Sequence, residues 1–384
     1  DESRREGEAH RLAGAEAKRT FQLSVGPLLR ATVIRLGPER HSVFVTMHHI
    51  IADGWSVGVF LRETLVLYDA FTLGETSPFP ELAIQYADFA VWQREWLRDG
   101  ILEEQLGYWR EQLAELPSFS LHTDRPRPAE QSFRGATISF DLSSELTGSV
   151  KELSGRSDAT LFMTLMAGFQ ALMARYTGKE DIVVGSGIAN RNRVEVEELI
   201  GFFVNMLVLR GDLSGDPSFV ELLGRIRETC LQAYAHQDLP FEKLVAELQP
   251  ERDLSREPLV QVVFELQNYP LTTPDLRSDM KLTGFRVDAQ MAKFDLSFYL
   301  WEESDRLTGF VEYNTDLFDA STIDRMIGHY RAVLEAVVAD PAVRVSELPL
   351  LSESEQRRLV LEWGRKQETV STLELPGDVE EGLL

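Results

Sequence analysis

The chain has 384 residues, 62 acidic against 39 basic side chains, and a formal net charge of −23. That length, with 43% hydrophobic residues, suits two domains or two lobes around a sizeable core and excludes global disorder. The acidic balance lacks the Lys and Arg clusters that nucleic acid or an anionic membrane requires, and a single cysteine, Cys230, excludes an internal disulfide and fits a reducing compartment.

The opening Asp1–Thr20 is rich in Ala, Glu and Arg and predicts a helix or a frayed end, most simply a solvated edge. No apolar run approaches the ~20 residues of a membrane helix and no signal-like stretch opens the chain, so a cytoplasmic protein is expected. A first residue other than Met reads as a piece of something longer. LLRATVIRL (28–36), the turn GPERH and the alternating SVFVTMHH predict a β-hairpin ending in His48 and His49. After the loop IIADG, helical periodicity runs from Ser56, a candidate N-cap, to Ala70. Two more helices follow. One carries Tyr86, Phe89, Trp92 and Trp96 as a core stripe, and the other covers about 102–116. Prolines and charges in His122–Gly135 interrupt periodicity as a connector between lobes would.

The second half alternates strand and helix irregularly. A strand (ATISFDL), a helical region over 143–153 and the apolar helix TLFMTLMAGFQALMARY come first. The strand DIVVGSGIA, the apolar LIGFFVNMLVLR, a helix over 219–236 and the strand VQVVFELQN follow. Strands KFDLSFYLWEE and LTGFVEYN then precede a helix over 320–339, and the tail past Pro349, with Ser352, Glu353 and Glu355, predicts a short helix and a charged linker. This order fits a mixed α/β (α+β) sandwich better than a doubly wound sheet.

Several chemistries can be set aside. Gly185-Ser186-Gly187 lacks the further residues of a dinucleotide loop, a phosphate loop or a serine nucleophile elbow, and no HExxH is present. Adjacent strand residues point to opposite faces, so His48 and His49 make a poor chelate and no metal is expected. Cys230, on an apolar helix, reads as a buried structural thiol. What remains is MHHIIADGWS, in which one imidazole faces the core and the other a cleft, with the Asp53 carboxylate four residues past His49. On residues alone the pair is either catalytic or an ordinary strand end.

His48, His49, Asp53 and Gly54 spell HHxxxDG, which resembles the signature of nonribosomal peptide synthetase condensation domains and, more distantly, of chloramphenicol acetyltransferase. YADFAVWQRE, ANRNR with IGFFVNMLVLR, HQDLPFEKLV and RDLSREPLVQVVFELQN resemble later motifs of that family in the family's order, so the likeness spans about 21–350. HHIIADGWS and IGFFVNMLVLR resemble domains joining an L-configured donor to an L-amino acid acceptor. The resemblance implies two acetyltransferase-like lobes in a V-shaped pseudo-dimer, with 1–122 as the first and 123–349 as the second. It makes 350–384 a linker toward an adenylation domain. The family's opening Gln- and Trp-containing motif and Arg-rich helix motif are not found, so an N-terminally truncated, incomplete first lobe is expected.

The implied reaction is attack of an aminoacyl thioester's amine on a donor thioester. Both substrates arrive on the 4′-phosphopantetheine arms of upstream and downstream peptidyl carrier proteins, and the domain binds no cofactor of its own. Carried over from the family, His49 is catalytic, its chemical step open, while Asp53 pairs with Arg191 as structure and Gly54 keeps a tunnel wall thin. Trp55 and Ser56, at the mouth of the next helix, are further tunnel candidates, with core packing the alternative for Trp55, while Asn205, Gln267, Asn268 and Ser297 fall in parts resembling tunnel-lining or lobe-bridging segments, or are polar groups satisfied by backbone. The alternatives are an inactive platform for carrier or tailoring proteins and an ester-forming or starter variant with a fatty acyl donor.

Overall fold

Runs of β-branched residues near the front of the chain pair as expected. In the computed structural model, which describes residues 2–116, 121–250, 253–267, 274–277, 280–284, 290–351, 355–357 and 360–361, β1 (Leu29–Arg35) and β2 (His41–Met47) form an antiparallel two-stranded sheet. Before it lies α1 (Glu2–Ala17), which packs along β2 and buries Ala9 and Ala13. The expectation of a solvated edge is thus corrected: small alanines on one face let a charged helix sit close to its neighbour while its other faces stay wet.

Then come α2 (Gly54–Thr72), α3 (Tyr86–Trp96) and α4 (Asp99–Gln112). On α3, Phe89 is buried against Val196, Leu199 and Phe203, with Tyr86 and Trp92 packed alongside, so the aromatic stripe is core. The third of these helices starts at Asp99 and stops at Gln112, short of the expected 116. Its Leu106 and Trp109 belong to the large core of the second half, and the Trp109 indole donates to the His236 carbonyl at 2.9 Å.

The second half contains β3 (Gly135–Leu142), α5 (Ser144–Arg156), α6 (Leu161–Thr177), β4 (Asp181–Ile188), α7 (Val194–Glu197), β5 (Asn205–Asp212) and α8 (Phe219–Ala235). It continues with α9 (Phe241–Leu248), β6 (Val262–Gln267), β7 (Leu296–Glu303), β8 (Arg306–Asn314) and α10 (Ala320–Ala339). The six strands form one mixed sheet in the order β3-β8-β7-β6-β4-β5, parallel at β4/β6 and β6/β7. Helices α5, α6, α8 and α10 pack on one another and on this sheet, and α6 is buried from Met163 to Ala174 as its unbroken apolar run dictates. Hydroxyl caps start these helices: Ser143 accepts from the Leu146 N–H, Thr160 from Met163 and Ser218 from Glu221. Helix α9 is absent from the elements expected above, because its eight residues are too few for periodicity to stand out from the motif HQDLPFEKLV.

No helix among the described residues is long and apolar enough to cross a membrane. Cys230 is fully buried and its thiol is pushed up to about 12 by burial, which keeps it protonated and inert.

Candidate active site

The site is built where β2 runs out. His48 continues the extended backbone, its Nδ1 accepts the Ile50 N–H at 3.1 Å, and its half-buried ring meets Phe21 edge-on at 5.9 Å. His49 opens a single 3-10 turn, His49–Ile51, and its exposed ring stands edge-on to Phe202 at 5.2 Å. The two rings therefore diverge because the backbone changes from extended to helical between them, a different cause from the strand alternation expected. Among the described residues no hydrogen bond reaches either nitrogen of the His49 ring, so both remain available to a substrate.

Asp53 is committed elsewhere. It is buried, and its Oδ1 accepts the Ser56 N–H at 2.8 Å and the Arg191 Nη2 at 3.2 Å, while Oδ2 accepts the N–H groups of Phe203 and Val204 at 2.9 and 3.2 Å. Burial pushes its carboxyl up, but the Ser56 and Phe203 hydrogen bonds and the Arg191 charge outweigh burial and leave it below the ordinary carboxylate range. The N-cap of α2 is thus Asp53, correcting the assignment to Ser56. A carboxylate reaches the N–H three residues on, at the positive end of the helix.

Ser56 instead acts as a hub inside the first turn. Its hydroxyl donates to the Gly201 carbonyl at 2.8 Å and accepts from Arg191 Nη2 at 2.8 Å and from the Gly201 N–H at 3.1 Å. Burial depresses Arg191 while Asp53 supports its charge. Its Nη1 donates to the carbonyls of Val196 and Leu199, and its guanidinium carbon lies 4.1 Å over the Phe203 ring. Trp55 donates its indole N–H to the Glu197 carbonyl at 2.8 Å, and Tyr86 its hydroxyl to the Phe202 carbonyl at 2.8 Å. Phe202, the wall behind His49, is therefore held through Tyr86 on one side and the Asp53-bound Phe203 on the other. Neither Phe202 nor this use of Tyr86 stands out in the sequence, since nothing in their spacing announces a contact with His49. Gly54 is the first residue of α2 and is exposed.

The remaining candidates divide. Asn205 spends its side chain on backbone: Nδ2 donates to the Gln237 and Leu239 carbonyls at 2.8 Å each, and Oδ1 accepts from Met206 and Phe241. It pins the loop before α9, so of its two expected readings the structure matches the polar group satisfied by backbone. Ser297 is fully buried on β7. Gln267 is half-buried at the end of β6, and Asn268 lies outside the described residues. Among the described residues no group of three or more His, Cys, Asp or Glu is placed to hold a metal ion.

The sequence matches the condensation domain family over residues 1–360. It is similar to a linear gramicidin synthase of Brevibacillus parabrevis, 51% identical over 362 residues, covering 94% of this chain but 7% of that protein. The chain thus spans only a small fraction of such relatives. Among solved structures, the X-domain in complex with OxyB from teicoplanin biosynthesis matches with a TM-score of 0.81 at 30% identity, over 91% of this chain and 78% of the other. The first condensation domain of the CDA synthetase shares the fold, with a TM-score of 0.73 at 21% identity over 90% and 75% of the two chains.

Proposed function

The chain belongs to the condensation domain family, and from that premise we propose that it forms an amide bond between a carrier-bound donor acyl or peptidyl thioester and a carrier-bound aminoacyl acceptor, with His49 at the reacting centre. The observation that carries the reading is the His49 imidazole, exposed, free at both nitrogens and backed by a fixed Phe202. The amine nitrogen attacks the thioester carbonyl, the C–N bond forms, the C–S bond breaks, and the proton lost by nitrogen ends on the departing thiol.

An α-amine, whose ordinary pKa is ~7.7–8.0, is partly unprotonated at neutral pH, so little base strength is required of the protein. Holding two tethered reactants together supplies ~7–11 kcal/mol, whereas proton transfer by one side chain gives ~10²–10⁴-fold, about 3–5 kcal/mol. His49 therefore orients the amine first and relays its proton second. Asp53 has no oxygen left to polarise the ring and works by holding Phe202–Val204 in place.

In this reading residues 1–122 and 123–349 are the two lobes and 350–384 leads toward an adenylation domain. Carrier proteins on either side deliver substrates on phosphopantetheine arms in the cytoplasm, and the motif wording favours L-configured partners. His49→Ala removes an exposed ring without hydrogen-bond partners, so peptide formation with loaded carriers should drop at least about 100-fold with the melting temperature unchanged. Undiminished product by intact mass refutes the role. Full-length synthetase offered aminoacyl, hydroxyacyl and fatty acyl partners separates amide formation from ester-forming, starter and purely docking variants.

A further inference from the structure

Around His49 the chemistry is confined to the ends of β2 and β5, which leaves the sheet face turned away from the helices without a role. Strand alternation sends Leu296, Phe298 and Leu300 of β7 into the helix-covered core and Ser297, Tyr299 and Trp301 to the opposite face. Register places Val263, Ser297 and Glu312 in one row across β6, β7 and β8, and Glu265, Tyr299 and Phe310 in the next. Glu265 and Glu312 thus stand on either side of β7, one row apart, with Ser297 of β7 directly beside Glu312.

Three features of this patch resist a purely structural account. Both carboxylates are half-buried, yet among the described residues no Lys, Arg or His pairs with either. Neutral donors alone orient them: the Gly187 N–H and the Gln267 amide at Glu265, and the Lys293 N–H at Glu312. The Ser297 hydroxyl, in a fully buried residue, has no hydrogen-bond partner among the described residues. At Gly187 a Cβ would lie 2.5 Å from a Glu265 carboxylate oxygen, so the sheet is kept bare where that carboxylate lies. Burial, and repulsion from Glu265, push the Glu312 carboxyl up to about 7, and burial raises Glu265 as well, as expected of two like charges without a cation among the described residues.

Position selects the ligand. Phe202, against His49, lies four residues before Met206, which is paired with Gly187, and Glu265 lies one strand further. At ~3.3 Å per residue and ~4.8 Å per strand Glu265 is on the order of 15 Å from the reacting centre, and Ser297 and Glu312, one row further along and one and two strands further across, are on the order of 25 Å from it. A group held between them, on the order of 20 Å out, is too far for the attacking amine and about six extended residues along an acyl chain.

Resting on the condensation reading above, we propose that Glu265, Glu312 and Ser297 form a subsite for a primary ammonium group at the far end of a peptidyl donor. The carboxylates supply the counter-charge and Ser297 one acceptor, which matches the three donors of an ammonium. The group can come from the peptide amino terminus or from a basic side chain of an upstream residue.

Three pantetheine-linked hexapeptides with a non-hydrolysable amide in place of the thioester separate these sources. One has a free amino terminus and neutral side chains, one is N-acetylated with a leading lysine, and one is N-acetylated with norleucine in lysine's place. Calorimetric binding to the wild-type chain should favour one or both ammonium probes over the neutral one by about tenfold. Glu312→Gln and Glu265→Gln should each shrink that ratio below about threefold, and a ratio within one variant cancels any general loss of folded protein. Equal affinities for all three probes in the wild type, no measurable binding of the ammonium probes, or a preference that survives both substitutions overturns the proposal. Dipeptide formation with neutral substrates is scored separately: turnover without ammonium preference sinks the subsite alone, and preference without turnover sinks the condensation reading alone.

Discussion

Asp53 shows why spacing alone does not assign a role, and why the expected pairing with Arg191 does. Four residues past an exposed histidine, a carboxylate invites a catalytic pairing, yet both of its oxygens are filled by the Ser56, Phe203 and Val204 N–H groups and by Arg191. Asp53→Asn replaces one of those acceptors by an NH2 group that must face an N–H or a guanidinium, and it strands a buried cation. About 3–5 kcal/mol of stability should be lost, seen as a lowered melting temperature together with the fall in rate. The sign with pH is fixed by the direction of the shift. A carboxyl held below its unfolded value stabilises the fold above the unfolded pKa and loses that effect as pH falls through the folded one. Wild type and variant should therefore differ fully at pH 6–8 and converge in acid. A large rate loss with an unmoved melting transition contradicts this assignment.

At the scale of elements, the hairpin β1–β2, the helix α6 and the strands β4, β7 and β8 were legible because their apolar periods are long and uninterrupted. The segment from Arg193 to Val204 was legible only as a motif, since its shape depends on contacts more than 100 residues away: Ser56 to Gly201, Trp55 to Glu197, Tyr86 to Phe202. Periodicity reports what an element buries, not which side chain ties it to another. The sequence accordingly marked Asp53 and Arg191 by resemblance but held no sign of the Ser56 hub, and it left Asn205 between a tunnel residue and a backbone-satisfied group, a choice that its four backbone partners make. Gly201 is where that segment meets α3 most tightly, since a Cβ there would lie 2.2 Å from the Tyr86 ring. Gly201→Ala should cost about 1–3 kcal/mol, and Tyr86→Ala in the same chain should recover part of it. Strictly additive melting shifts in that double-mutant cycle would show that the ring is not what fills the space.

For the whole molecule, charge and burial act together on stability. The chain carries a formal −23, so ionising further carboxyls adds to self-repulsion, and Glu312, with its carboxyl near 7, is held neutral by the fold at a pH where the unfolded chain has already released that proton. A raised folded value stabilises fully below the unfolded pKa of about 4.5 and is lost as pH climbs through about 7, an effect on the order of 3 kcal/mol for Glu312, with Glu265 acting in the same direction. Asp53 limits stability from the other side, through the acid range. The melting temperature should therefore peak on the mildly acidic side, at roughly pH 5, and decline toward pH 8. Glu312→Gln removes the ionisation without changing the side chain's size, so its melting temperature should exceed the wild type's at pH 8 and the gap should close near pH 5. A wild-type melting temperature that rises steadily from pH 5 to pH 8 would mean that Glu312 already finds a positive partner in the free protein, and the sheet face would then have no charge left to offer a ligand.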